Sequence, residues 1–365
     1  MLKAIGLMSG TSLDGIDVAL IETDGERIGA FGPVSYRAYL VDERELLRQA
    51  LSEAASLTDR SLRPGSLRRA EDLVTRAHAE SVEAFVAQHG IDRSRIDVVG
   101  FHGQTVLHRP QSRLTVQIGD GAALARTLKL PVVFDLRAAD VAQGGQGAPL
   151  VPVYHRALVA ALNGDGPTVV VNIGGVANIT YIDGDALIAC DTGPGNALLD
   201  DFMLRMTGEA VDRDGRAAAR GRVDEGWIAR ALTLPFFAKP LPKSLDRNDF
   251  AALAIDGMST DDGAATLTAF TAASITRVAP LLPKPPREWI VVGGGANNST
   301  LMRMLAEKLG PAKVTRGHDL GWSGDAVEAQ AFAYMAVRSL KGLPLTYPGT
   351  TGVPAPLTGG ILAKP

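Results

Sequence analysis

The stretch GLMSGTSLDGID, residues 6–17, crowds glycines, hydroxyls and two acids into one short turn. Ser9, Thr11 and Ser12 offer hydroxyl donors, Gly10 and Gly15 keep the turn open, and Asp14 and Asp17 carry charge. Successive backbone N–H groups and hydroxyls in such a turn can grip phosphate. The stretch is not a G-x-x-x-x-G-K-[ST] loop, because it lacks the lysine and leads into strand-like VALIE instead of a helix. Nor does it match G-x-G-x-x-G. Without a lysine the phosphate charge calls for a metal, and Mg2+ is commonly held by one or two carboxylates, often through water. Asp14 and Asp17 are the candidates. The plain alternative is a tight hairpin with solvated acids, and the loop alone does not choose.

Three further turns carry related chemistry. NIGGVANI (172–179) sets Gly174 and Gly175 between Asn172 and Asn178 with no charge, as a second phosphate clamp or as ordinary turn chemistry. VVGGGANNSTLM (291–302) puts Gly293, Gly294 and Gly295 at a strand end and a helix start at Asn298 or Ser299. Carboxyl ends of strands are where ligands bind in open α/β sheets. CDTGPGNALLDDF (190–202) places Asp191 just past the apolar ALIAC, where an acid serves as helix cap, surface acid or general base; the buried strand behind it favours the base. Asp200 and Asp201 lie on the helix that follows and read as capping or solvent-facing.

The elements that must position these turns alternate between strand and helix. KAIGLM and DVALIET flank the first turn, and TVVVNI and VANITYI flank the second, each pair joined too closely for a βα crossover. Each pair is therefore expected to be an antiparallel hairpin, and the repeat suggests two similarly built lobes. Helices are expected at 43–56, at 66–89 along Leu67, Ala70, Leu73, Val74, Ala77 and Val82, over a long stretch from about 197 to 233, and from about 261 to 279. Arg68, Arg69 and Arg76 read as a solvated helix face. IDVVGFHGQTV gives a strand running into a loop. Alternation of this kind implies an α/β architecture.

At 365 residues the chain exceeds one ordinary core, so two lobes are expected. A net charge of −3 argues against a general nucleic-acid binder. A single cysteine, Cys190, fits a reducing compartment, and the six histidines show no metal-ligand spacing. No export signal and no bilayer-length apolar run stand out. A cytoplasmic protein with no nucleic-acid or membrane partner is the expectation.

Taken in order, GLMSGTSLDGID, FHGQTVLHRP, VNIGGVANIT, CDTGPGNALLD, VVGGGANNSTLM and LPLTYPGTTGV resemble the anhydro-N-acetylmuramic acid kinase family, within the superfamily of sugar kinases, heat-shock chaperones and actin. The resemblance runs from residue 5 to about residue 360. It departs at 242–250, where the family's PKSTGRE-x-F becomes PKSLDRNDF; Pro242, Lys243, Ser244, Arg247 and Phe250 survive.

The resemblance implies a two-lobed, actin-like ATPase fold of the ribonuclease H-like kind, with a deep interlobe cleft for nucleotide and sugar. The expected first lobe is 1–136 with 340–365 and the second 137–339, although in this superfamily the last helix typically crosses back to the first lobe. It implies ATP and Mg2+ as cofactors, a homodimer, and conversion of 1,6-anhydro-N-acetylmuramic acid with water into N-acetylmuramic acid 6-phosphate during cell-wall recycling. Asp191 becomes the base. Gly10, Thr11, Ser12, Leu13, Asp14, Gly15, Ile16 and Asp17 cradle phosphate, with Asp14 and Asp17 on the metal side. Asn172, Gly174 and Gly175 close on it, and Gly293, Gly294, Gly295 and Asn298 border the adenosine. His102, Gly103, Gln104, Thr105 and Asn196 approach the sugar, and Arg137 pairs with its lactyl carboxylate. Two alternatives stay open: a kinase for another anhydrosugar such as levoglucosan, and a nucleotide-switched actin-like binding protein.

Overall fold

The computed structural model spans residues 1–365 and describes all of them except 163, 165, 246–249, 251, 252, 254, 256 and 325. Strands β1 (Leu2–Ser9) and β2 (Gly15–Thr23) form the expected antiparallel hairpin, with Met8 opposite Asp17 at its tip. β3 (Ile28–Ala38) pairs antiparallel outside β2. Helices α1 (Val41–Ala54) and α2 (Leu67–Gln88) follow. α2 buries the stripe from Leu67 through Val82 read from its spacing, and Arg68, Arg69 and Arg76 face solvent. β4 (Val98–Arg109) then runs parallel to β1 and carries β5 (Leu114–Ile118) as an antiparallel partner. α3 (Gly121–Leu128), β6 (Val132–Phe134), α4 (Ala138–Ala142) and α5 (Pro152–Ala160) complete this stretch, with β6 parallel to β4.

The second half opens the same way. β7 (Thr168–Ile173) and β8 (Val176–Asp183) form a hairpin with Asn172 opposite Asn178, and β9 (Ala186–Pro194) pairs antiparallel outside it. The long helical stretch expected from about 197 to 233 consists of α6 (Ala197–Thr207), α7 (Arg216–Arg220) and α8 (Glu225–Ala231). Gly208, in the left-handed region at φ 77°, closes α6. After α9 (Pro235–Ala238) and α10 (Thr260–Thr276) come β10 (Glu288–Val292), α11 (Ser299–Leu309) and β11 (Lys313–Arg316), the two strands parallel to β7 and to each other. α12 (Val327–Leu340), α13 (Pro348–Thr351) and β12 (Ile361–Ala363) end the chain.

Read from their third strands, the two sheets share one order. β3-β2-β1-β4-β6 matches β9-β8-β7-β10-β11, the first three strands antiparallel and the rest parallel. This is the ribonuclease H-like α/β plan, built twice. Each copy has its own core, around Ile5, Leu7, Val99 and Phe101 in the first and Val169, Val171, Phe270 and Trp289 in the second.

The compact units are Met1–Asn163 with Asp325–Pro365, and Gly164–Gly324. Residues 137–162 and 326–339, assigned to the second lobe from sequence, therefore lie with the first sheet. Helix α12 is the reason: it lies on β1, β2 and β4, and Gly6 makes room for it. A Cβ at Gly6 would come within 1.7 Å of the Ala329 carbonyl oxygen. The helix does cross back, as the resemblance implied.

Candidate active site

In the first unit, β1 and β2 hold out the turn Gly10–Asp14. Leu13 N–H donates to the Gly10 carbonyl at 3.2 Å, and Leu13 adopts φ 56° with its side chain buried. A non-glycine residue in that region costs about 1 kcal/mol or more, and such strain gathers at functional turns. Ile16 is fully buried, so it and Leu13 anchor the turn in the core, while Thr11, Ser12 and Asp14 are exposed. The Asp14 carboxylate accepts from Ser12 Oγ at 2.5 Å and from Gly15 N–H at 3.1 Å, both on Oδ1. Asp17 lies in β2 between Met8 and Tyr36. Burial first, then Asp14 and Asp17, push the Tyr36 phenol up.

FHGQT is not the loop expected from sequence. It lies inside β4, and a bulge sets Phe101 opposite Leu7 but Gln104 opposite Ser9, so β4 carries one extra residue. Gly103, at φ 69°, makes the bulge possible, and a Cβ there would meet the Ile118 carbonyl at 2.6 Å. His102 and Gln104 are buried as a result, and both face the first hairpin. Gln104 Oε1 accepts from Ser9 Oγ at 2.6 Å, and its Nε2 donates to the Gly10 carbonyl at 3.0 Å. Ser9 Oγ also meets Tyr39 OH at 2.9 Å. His102 Nδ1–H donates to the Ser9 carbonyl at 3.0 Å, and His102 Nε2 accepts from Arg137 at 3.2 Å. Burial first, then Arg137, pull its pKa down to about 3, so the ring is a neutral strut. Arg137 also donates to the Gly147 carbonyl at 2.9 Å; its bonds go to the protein. Thr105 accepts from Gln117 Nε2 at 3.3 Å across the β4–β5 pair.

Two features of this unit escaped the sequence reading. Glu328, on the first turn of α12, has its carboxyl pKa raised by burial, with Arg137 opposing and Asp14 reinforcing. Its surface is open to solvent, so the two charged neighbours describe its setting better than burial does. An acid in a first helical turn usually complements the helix dipole, so sequence alone had no reason to single it out. The second is a cavity of about 220 Å3 beside the bulge of β4 and the carboxyl ends of β5 and β6, lined by Arg60, Arg63, Phe101, Gly103, Phe134 and Asp135 among others. Arg60 Nη2 sits on both Asp135 oxygens at 2.6 and 2.5 Å, and Arg63 Nε donates to Glu71 at 2.8 Å. Asp135 itself is in the left-handed region, at φ 57°.

In the second unit the expected residues cluster around the β7–β8 turn. Gly195 N–H donates to the Gly175 carbonyl at 2.9 Å, and Asn196 N–H to that of Gly174 at 2.8 Å. Asn196 Nδ2 reaches the Ile173 carbonyl at 3.4 Å, so this side chain ties the hairpin to the start of α6. Gly293 lies against Asn172 and Ile173, and Gly295 against Ile173 and Asn196, which brings the second clamp and the glycine turn together. Asn298 is spent elsewhere: buried, its Oδ1 caps α11 by accepting from Leu301 N–H at 2.9 Å.

Asp191 lies in β9, opposite Asn178. Its N–H donates to the Lys243 carbonyl at 2.9 Å, and Leu245 N–H donates to its Oδ2 at 2.7 Å. The PKSLDRNDF segment thus starts by wrapping the acid; Arg247 lies outside the described residues. Burial pushes the Asp191 pKa up to about 6, against the pull of that Leu245 bond. Asp200, read as capping or solvent-facing, is half-buried, and burial with Asp201 beside it raises its pKa to about 6. It borders a cavity of about 370 Å3 with Gly175, Leu198, Leu245 and Phe250. Among the described residues no group of three or more His, Cys, Asp or Glu gathers as a metal cage. A site that takes Mg2+ together with substrate phosphates does not need one, since one or two carboxylates then suffice.

Comparison with known proteins gives the family. The family model for anhydro-N-acetylmuramic acid kinase matches residues 2–364. Relatives bearing that name are 67% identical in Nitrobacter winogradskyi and 67% in Bradyrhizobium diazoefficiens, each alignment covering 100% of both chains. A more distant one in Methylobacterium nodulans is 55% identical, again over 100% of both chains. On its sequence from end to end, the chain belongs to the anhydro-N-acetylmuramic acid kinase family.

Proposed function

We propose that this protein uses ATP and water to convert 1,6-anhydro-N-acetylmuramic acid into N-acetylmuramic acid 6-phosphate. The observation that carries the reading is Asp191, a carboxylate held by backbone groups with a pKa of about 6, ionised at neutral pH yet basic enough to take a proton. Water attacks the anomeric carbon and gives its proton to Asp191. The bond from that carbon to O6 breaks, O6 takes the γ-phosphoryl group, and the bond from the γ-phosphorus to the ADP oxygen breaks. Ordinary glycoside hydrolysis needs a second carboxyl to protonate the leaving oxygen. Here the phosphoryl group captures it, so one base suffices.

The first hairpin offers Thr11 and Ser12 to phosphate, and the second offers Gly174 and Gly175. Asp14 Oδ2 has no protein donor among the described residues, which suits it to a metal, with Asp17 and Glu328 as neighbouring carboxylates. When bound, Mg2+ neutralises phosphate charge. A place for the sugar is supported by the cavity beside Gly103, which sets Arg60, Arg63, carboxylates, His102 and two phenyl rings around room for about seven waters. Mixed planar polar groups and aromatic faces suit a sugar ring. The proposal includes a homodimer acting in the cytoplasm in cell-wall recycling.

The test is a mass spectrum of products after incubation with Mg-ATP and the anhydrosugar. A sugar heavier by one phosphoryl group and one water, absent with Asp191→Asn, is expected. ADP with no new sugar would sink the reading, and turnover of levoglucosan in its place would move it to another anhydrosugar.

A further inference from the structure

We propose that Gln104 is a positioning residue for nucleotide binding: it aims the backbone of the first hairpin at phosphate and does not touch the sugar. The inference rests on the kinase reading for its ligand, but its geometry lies wholly within the first unit.

Gln104 is fully buried, and a buried amide is costly unless its donors and acceptor are matched. Both ends are matched, and both on the turn: Oε1 on the Ser9 hydroxyl at 2.6 Å and Nε2 on the Gly10 carbonyl at 3.0 Å. That carbonyl also accepts from Leu13 N–H at 3.2 Å, so two donors fix its direction. A trans peptide is planar, with its C=O and the following N–H pointing opposite ways. Holding the Gly10 oxygen inward therefore turns the Thr11 N–H outward. Among the described residues no acceptor meets the N–H of Thr11 or of Ser12, and both residues are exposed. Outward-facing neighbouring N–H groups make an anion-binding concavity.

The rest of the network braces the same point. Tyr39 OH meets Ser9 Oγ, His102 holds the Ser9 carbonyl, and Arg137 holds the far side of the His102 ring. The β4 bulge at Gly103 is what lets His102 and Gln104 both reach the hairpin. A turn lacking the lysine of other phosphate loops depends on the direction of its amides, and a neutral glutamine supplies that direction without adding charge.

Gln104→Glu keeps the size and an oxygen for Ser9 but replaces the donor to Gly10 with a repelling oxygen. Gln104→Leu removes both bonds. The probe is the Mg2+ complex of a non-hydrolysable ATP analogue, titrated by calorimetry in the absence of sugar. Its Kd should weaken about tenfold or more in either variant, as expected for loss of a buried hydrogen bond and the order it imposes. In turnover, the KM for ATP should rise while that for the sugar stays within about threefold. Ser9→Ala, a gentler change that frees one end of the glutamine, should give an intermediate Kd if the Gln104 variants melt too low to titrate. An unchanged nucleotide Kd in folded protein, or a rise confined to the sugar KM, would overturn the proposal. Failure of the wild type to turn over the anhydrosugar would instead strike the kinase reading and leave the nucleotide titration standing.

Discussion

At the scale of single residues, Asp191 carries the sharpest expectations. Below pH 6 the base should be lost to protonation, so kcat/KM should climb about tenfold per pH unit up to an inflection near 6 and then level. Asp191→Asn should cut turnover by about 10^2–10^4-fold while nucleotide still binds. The same variant should be the more stable protein. The folded pKa lies above its ordinary 3.8, so the folded state favours the proton, and wild-type stability falls as pH rises from about 4 to about 6. At pH 7 Asp191→Asn escapes that cost, on the order of 3 kcal/mol, visible as a higher Tm than wild type at pH 7 but not at pH 4. Arg60 tests the cavity beside Gly103: Arg60→Gln should raise the sugar KM about tenfold with the ATP KM unchanged, and unchanged values for both would remove the sugar from that cavity. The place of Asp191 near the end of a buried strand was readable, because the apolar ALIAC runs straight into it. The loop expected at His102 and Gln104 is a bulged strand, and a glycine in a strand says only that something unusual happens there. Arg137 and Glu328 could not be paired from sequence, since 191 residues separate them and only the return of α12 brings them near.

At the scale of elements, the hairpins were legible and the helices partly so. Connections as short as SGTSLD and GG leave no length for a crossover, so antiparallel pairing followed from arithmetic. The 197–233 region reads as helical throughout, but the breaks within it do not show: Gly208 ends α6 and the chain takes two shorter helices beyond it. The position of α12 was harder to read. Val327 through Arg338 are buried almost all round, and a helix apolar on every face names no partner. What identifies the partner is the bare face of β1, where Gly6 lies under Ala329. Gly6→Ala puts a methyl where the helix backbone already is, and should cost about 1–3 kcal/mol. A Tm within a degree of wild type would mean that the helix shifts freely, contrary to the packing described.

At the scale of the whole molecule, the two units should respond to acid with opposite signs. The first holds the buried His78, His102 and His155, whose pKa values burial lowers to about 4, 3 and 3, and His108 is lowered too. Each stays neutral when folded and gains a proton when unfolded, so below about pH 6.5 their contribution to stability drains away. The second unit holds Asp191 and Asp200, both raised to about 6, and gains stability as pH falls through that value. Hydrogen exchange at pH 5, corrected for intrinsic rates and compared with pH 7.5, should show protection falling in β1, β4 and α2 and holding in β7–β9. Equal loss in both would refute the assignment of these groups.

The route of the chain through its two units also sets the order in which the protein can be completed during synthesis. Residues 1–162 leave the ribosome first, but the face of β1, β2 and β4 that α12 covers stays bare until the last forty or so residues emerge. The second unit is continuous from Gly164 to Gly324 and can close as soon as it is made. The part of the chain translated first is therefore the part finished last, and a message truncated before α12 yields a folded second unit joined to an open sheet, a species for quality control to remove instead of a weakened enzyme.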